Sequence, residues 1–281
     1  MSRIREFFAF SVESDDVNWK KLVKCQKCRY TQKRCYKVRK SQPNVSIGTC
    51  TVQYGTENKD IIICPHRLLE RKQIFTDCLH LLTQHQPGYE IHLVPEVSIP
   101  GGSVDYFLVS TDSKRKVKDF VGIELQTMDT TGTVWPQREQ TLHELGLKKA
   151  AISDEKGFGM NWKMTAKTIL VQLHHKIDTF EGINKHLVLV IQDHLLEYIK
   201  SEFAFDHINT HPLIGDSMHI HSYKLCKEDK GYRLVLDTRY STDSNGIAKL
   251  LGLSANANIG FEEIAKILES KISDSTLFSI A

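Results

Sequence analysis

The sequence predicts an α/β fold, with a mixed central sheet and helices against it. Three observations carry this. Strand-like segments separated by turn signals fill residues 89–127, and two segments of helical period follow over 138–152 and 161–180. Then "HLVLVI" (186–191) forms a near-continuous apolar run, the pattern of a strand buried on both faces. Strands, then helices, then a further strand make an α/β sandwich.

The elements justify this in order. "HRLLERKQIFTDCLHLLTQH" (66–85) has apolar residues at Leu68, Leu69, Ile74, Phe75, Cys78, Leu79, Leu81 and Leu82, a helical stripe that Pro87 and Gly88 end. "YEIHLVPEVSI" and "SVDYFLVS" read as strands joined by the turn "PGG", and "STDSKRKVK" turns the chain into a third strand, "DFVGIELQT". "REQTLHELGLKKAAI" and "NWKMTAKTILVQLHHKIDTF" are the two helices before the central strand. Three parts result: a basic, cysteine-rich segment at 1–65, the sandwich at 66–200, and strands and helices at 201–281 that complete the core or contact a partner.

A chain of 281 residues, 41% hydrophobic and 25% charged, has the composition of a soluble globular protein and can bury a large core without disulfides. No stretch of about 18 apolar residues occurs, so no membrane span is expected. The opening "MSRIREFFAFSVESDD" is too polar for a secretory signal. The expected location is the cytoplasm of a bacterial or archaeal cell, with cysteines as thiols or metal ligands. The net charge is only +3, but ten Lys or Arg and no acid lie between Lys20 and Lys40, a local field that attracts a polyanion or simply a solvated face.

Five of seven cysteines, Cys25, Cys28, Cys35, Cys50 and Cys64, fall in one window with few large apolar residues. A tetrahedral thiolate site would supply folding free energy that burial cannot. The favoured ligands are Cys28, Cys35, Cys50 and Cys64, with Cys25 as the alternative to Cys28; zinc and iron both accept four thiolates. His66 is expected as a helix cap or solvent-facing residue rather than a ligand. Cys78 and Cys226 sit in apolar patterns and are expected in the core.

Acids interrupt the predicted hairpin at Asp105 and Glu124, with Gln126 two residues on. Positions 124 and 126 share a strand face, and a suitable register brings Asp105 alongside. Two carboxylates so placed raise each other's pKa unless a divalent cation lies between them, and a hard oxygen pair suits Mg²⁺. The plain alternative is an edge hairpin with its polar side in water.

The helix, the three strands and the order Glu96, Asp105, "ELQ" at 124–126 resemble the PD-(D/E)xK nuclease core, with glutamine where lysine is usual. Joined to "CRYTQKRC", "IGTC" and "CPHR" upstream and "IELQTMDTTGTVWP" downstream, the pattern is similar to the NotI family of type II restriction endonucleases over residues 25–140. The resemblance implies a PD-(D/E)xK restriction-endonuclease-like core plus a small metal-binding module. It makes Asp105 and Glu124 the Mg²⁺ ligands, Gln126 the third active-site residue and Glu96 an accessory acid. It further implies a homodimer that cuts double-stranded DNA at a GC-rich palindrome and leaves 5′-phosphate ends. A non-catalytic metal-stabilised DNA-binding protein and a non-specific repair or RNA-processing nuclease are the other readings.

Other features are weaker. His207, His211, His219 and His221 lie close in sequence, with Asn209 among them, but no acid or cysteine completes a metal set, and a polar or phosphate-facing strand is expected there. "IAKLLGL" and "FEEIAKILESKI" form a helix pair that a helix-turn-helix DNA reader could look like, as could most helix pairs. Phosphate contacts are expected from Lys20 to Lys40 and from Lys114, Arg115, Lys116 and Lys118, and base contacts from Gln137, Arg138, Lys148 or Lys149. No Walker, GxGxxG or GxSxG sequence and no internal repeat is present.

Overall fold

The N-terminal strands β1 (Ile4–Phe7) and β2 (Phe10–Ser11) are joined by Phe8 and Ala9, both in the left-handed region at φ 49 and 69. The helix α1 (Trp19–Cys25) follows, capped by the Asn18 side chain, which accepts from the Lys21 N–H. Then come β3 (Val38–Arg39), β4 (Gln42–Ser46), β5 (Thr49–Tyr54) and β6 (Lys59–Ile62). These make a small antiparallel sheet, β2-β1-β5-β6, and a separate ribbon of β3 and β4. The computed structural model describes residues 2–149 and 157–253 together with 266, 269 and 270.

After α2 (Gln73–Thr76), the central sheet begins with β7 (Glu90–Ile99), β8 (Gly102–Thr111) and β9 (Val117–Gln126). The chain passes through β10 (Thr130–Thr131), α3 (Trp135–Glu144), β11 (Gly159–Met160) and α4 (Trp162–Gly182) before returning as β12 (His186–Gln192). The remaining elements are α5 (Asp193–Glu202), β13 (Met218–Glu228), β14 (Gly231–Thr242) and α6 (Ser244–Leu250). The six-stranded order is β14-β13-β12-β9-β8-β7; β12 runs parallel to β9 and β13, and the other pairs are antiparallel. Parallel neighbours need a crossover, and α3 and α4 supply it between β9 and β12.

This is the mixed α/β architecture expected, with β12 central and buried at all seven positions. On one face of the sheet, Leu187, Leu189 and Ile191 pack against the apolar stripe Ile169, Leu173, Ile177 and Phe180 of α4, within a core that also takes in Ile4, Phe7 and Val52 of the N-terminal sheet. On the other face, Val121, Ile123, Val188 and Val190 meet Leu68, Ile74, Phe75 and Leu81. The cysteine-rich window is therefore less coreless than its composition suggests, since β5 and β6 send Val52, Ile61 and Ile62 to full burial.

The single helix expected over 66–85 is instead a 3-10 stretch Pro65–Lys72, the short α2 and a further turn Leu79–Leu81. The break falls at Glu70, extended at ψ 125, and Arg71, left-handed at φ 50. Its physical reason is an ion network that outweighs helical propensity. Fully buried Arg67 pairs with Glu6 at 2.7 Å and with Glu70 at 3.0 Å and donates to the Tyr232 carbonyl, while Glu70 accepts the Leu234 N–H. A buried guanidinium left unpaired would cost several kcal/mol, on the order of 3–5, so the backbone bends to satisfy it. The apolar residues of the stripe still reach the core.

Candidate active site

The β8–β9 ladder runs from Thr111 and Val117 to Tyr106 and Ile123 and then stops. Beyond it the Asp105 carboxylate, through Oδ2, accepts the Leu125 N–H at 2.8 Å. A side chain thus takes the place of the next backbone partner, and the two strands splay. That is why acids stand in otherwise apolar strands here. The wedge opens into a cleft of about 370 Å³ lined by Gly102, Asp105, Glu124, Gln126, Gln172 and Lys176 among others.

Glu124 is 5% exposed, and its Oε1 accepts from Lys176 Nζ at 2.5 Å. Lys176 comes from α4 and is equally buried. Burial pushes the Glu124 carboxyl up to about 7; Lys176 opposes this, and the Asp105 charge adds to it. Burial likewise raises Asp105, against the Leu125 N–H and Lys176 and with a contribution from Glu96. The two acids therefore sense each other, and both sense one cation.

Gln126 is half-buried at the rim, its Nε2 donating to the Thr127 carbonyl at 2.6 Å. Glu96 lies inside β7 and is exposed. The pairs Pro95 with Tyr106 and Val97 with Val104 put it across from Asp105, in the left-handed region at φ 53. Backbone in that region is unusual for a glutamate inside a strand, and such irregularities gather at functional sites.

Lys176 and Gln172 were missed in sequence because they sit one turn apart in an apolar helix. The signal was there. Lys176 is spaced three and seven residues from the buried Leu173 and Ile169, on the core stripe, where a charged residue needs a partner. The turn of the β7–β8 hairpin seats that helix: a Cβ on Gly101, at φ +94, would lie 2.1 Å from the His175 carbonyl oxygen, and Thr179 donates to the Pro100 carbonyl.

The cysteines are divided. Cys25, at the end of α1, is exposed and donates to the Leu22 carbonyl. Cys28, Cys50 and Cys64 are buried, and Cys35 is half-buried. A hydrogen bond with Cys50 lowers Cys64 to about 6, against burial and with help from Lys37 and His66. The same pairing, with burial, raises Cys50. Burial raises Cys28, but hydrogen bonds to His66 and Thr31 outweigh it and leave the thiol below its usual value. His66 thus faces Cys28 rather than solvent. Among the described residues, no three His, Cys, Asp or Glu side chains are arranged to hold a metal ion by themselves. Thiolate chemistry suits the donor set; the present spacing of the sulfurs does not.

Several expected contacts are corrected. His219 and His221 are not on a solvent-facing or phosphate-facing strand. They are 1% and 0% exposed on β13, and burial lowers them to about 4 and about 3. Arg138 cannot reach a base: it is buried, donates to Glu139 and the Ser46 carbonyl, and lies against the Phe7 and Trp135 rings. Gln137 accepts the Arg3 N–H, and Lys148 is paired with Glu139. Cys226 is half-buried rather than in the core. Lys114, Arg115 and Lys116 are exposed in the β8–β9 turn, six residues along β8 from Asp105, roughly 20 Å away. Lys118 is tied to Asp112 at 3.0 Å. Of the helix pair, α6 is present, while most of "FEEIAKILESKI" lies outside the described residues.

No family model matches the chain, and no curated protein matches it. Among solved structures it is similar to SfsA of Pyrococcus furiosus, determined in complex with Ca²⁺, at 13% identity over 69% of this chain and 71% of that one, with a TM-score of 0.30. A likeness that loose does not establish a shared fold. Among the described residues, no helix is long and apolar enough to cross a membrane.

Proposed function

We propose that the chain is a Mg²⁺-dependent endonuclease of the PD-(D/E)xK type acting on double-stranded DNA. The supporting observation is the meeting of Asp105, Glu124 and Lys176 at an open cleft where β8 and β9 part. Asp105 and Glu124 would hold the cation, since Mg²⁺ characteristically takes one or two carboxylates and completes its shell with water and phosphate oxygens. When bound, Mg²⁺ supplies Lewis-acid stabilisation of the phosphate and lowers the pKa of a coordinated water.

The chain's own residues do the rest. Lys176 brings into the cleft the positive charge that glutamine at 126 lacks, placed where charge builds on the phosphate oxygens. The Gln126 and Gln172 amides line the same cleft and can donate to phosphate or orient water. Glu96 adds negative potential beside Asp105 and can steer a second cation. The reading extends, through the resemblance to NotI enzymes, to a homodimer specific for a GC-rich palindrome that leaves 5′ phosphates. It also extends to a structural zinc or iron ion on Cys28, Cys35, Cys50 and Cys64, which would have to draw those sulfurs together.

Plasmid incubated with the purified protein and Mg²⁺ should yield discrete fragments. Asp105→Asn should abolish cutting by at least about 10²-fold while retaining DNA binding in Ca²⁺, and Lys176→Met should slow it by a similar factor. Smears from the wild-type protein would remove site specificity, and full cutting by Asp105→Asn would remove the assigned ligand.

A further inference from the structure

A second cavity, of about 570 Å³, lies at the outer edge of the central sheet, where Leu236 to Tyr240 of β14 face His80, Thr210 and Pro212. Its geometry is irregular where it matters. Thr238 stands opposite Ser222 and Leu236 opposite Tyr223, so Asp237 is the extra residue of a β-bulge. Bulges of this kind re-aim side chains and recur beside binding sites.

The charges here are unbalanced. Arg239 lines the cavity half-buried and makes no ion pair among the described residues. The titratable groups that sense its charge are Cys78, His80, His221 and Tyr223. Burial raises the Cys78 and Tyr223 side chains and lowers the His221 imidazole, which leaves these three neutral at pH 7. Asp237 is on the same wall, but its carboxylate is engaged by Lys224 at 3.0 Å. The nearby Asp77 carboxylate is likewise engaged, by the Tyr223 hydroxyl at 2.7 Å and the Gln73 amide at 2.8 Å, so the Arg239 guanidinium is left to an incoming anion.

Buried polar atoms behind the cavity also lack partners. The Thr238 hydroxyl, Nε2 of His221 and Nδ1 of His219 have no hydrogen-bond partner among the described residues. His221 lies opposite Arg239 in the strand register, and its ring stacks on that of His80 with centroids 6.2 Å apart. Native proteins rarely leave so many buried donors and acceptors unsatisfied in one place.

We infer that this cavity is a second anion site, which takes a phosphomonoester group carried by a free nucleotide or by the 5′ end of a nucleic-acid strand. Arg239 offers a planar fork matched to phosphate oxygens, with His80 and Thr210 as further donors. The space exceeds that of a bare phosphate, and Pro212 and Leu236 give it an apolar wall for the organic part. The inference does not depend on the cleft at Asp105.

Calorimetric titration of the full chain in EDTA with a nucleoside 5′-monophosphate, the parent nucleoside, and 5′-phosphorylated and 5′-hydroxyl oligonucleotides tests it. Saturable binding of the monophosphate is expected, with the nucleoside at least ~10-fold weaker. Preference for the phosphorylated oligonucleotide over its 5′-hydroxyl form would assign the site to strand ends, and tight binding of the monophosphate alone to free nucleotides. Arg239→Gln should weaken binding by ~10–100-fold, Arg239→Lys by less, and exposed His80→Ala measurably, without the folding risk of a strand substitution. Asp105→Asn should leave the affinity unchanged. No saturable binding of any phosphorylated probe, equal binding by Arg239→Gln and His80→Ala, or loss of binding in Asp105→Asn would overturn the proposal.

Discussion

At the scale of single residues, the Glu124 carboxyl governs the cleft. Folded, it titrates near 7, against an ordinary 4.5, because burial outweighs the help of Lys176. A carboxyl raised in the folded state holds its proton more tightly there than in the unfolded chain. Its contribution to stability is therefore full below about 4.5 and is lost as pH rises through about 7. The size of that loss is on the order of 3 kcal/mol. The difference in urea stability between wild type and Glu124→Gln should fall as pH rises from 4.5 to 8, because the opposite trend from buried His219 and His221 is common to both proteins and cancels. An unchanged slope in Glu124→Gln would mean that the carboxyl is not perturbed. The same titration predicts that Mg²⁺-dependent cutting climbs through neutral pH as the ligand ionises. Asp105, Glu124 and Gln126 could be found in the sequence because acids in an apolar hairpin violate its alternation. Lys176 was harder, since helical stripes usually accommodate a lysine at their margins, and its spacing on the core stripe became decisive only with its buried pairing to Glu124.

At the scale of elements, the site exists because the β7–β8 turn, the splayed end of β8 and β9, and α4 meet. Gly101 makes that meeting possible. Alanine there would place a methyl group 2.1 Å from the His175 carbonyl oxygen in a backbone region that disfavours side chains. Gly101→Ala should cost about 2–4 kcal/mol, read as a lower urea midpoint, and should reduce cutting more than its effect on folding explains, because Lys176 moves with α4. A variant of wild-type stability would show that the turn does not seat the helix. The three-strand meander, α4 and β12 were legible because period and turn residues agree across their length. The segment over 66–85 was not, because its helical period is real but the Arg67 network with Glu6, Glu70 and the β14 backbone reshapes it from a distance. Likewise the His219 and His221 side chains alternate as a polar strand would, and only packing by Cys78 and His80 reveals their burial.

At the scale of the whole molecule, the N-terminal sheet and the central sheet share one apolar core, so the cysteine-rich segment is anchored by packing as well as by whatever its thiols bind. A structural metal would add to that anchor by mass action. Purified protein should carry about one zinc or iron per chain, and stripping it should lower the melting temperature. Metal-free protein of full stability would leave the four thiols as ordinary buried cysteines. The basic run from Lys20 to Lys40 should make DNA affinity fall steeply with salt in a filter-binding or anisotropy series. The expectations of a homodimer and of site specificity come only from the family resemblance, because the surfaces that would carry them show no period or motif in the sequence.

The most direct measurement is Mn²⁺ binding to the full chain, followed by electron paramagnetic resonance at pH 8 with the thiols capped. The account predicts a saturable site of about one ion per chain that Asp105→Asn and Glu124→Gln each weaken by at least ~10-fold. Binding that survives both substitutions unchanged would contradict it.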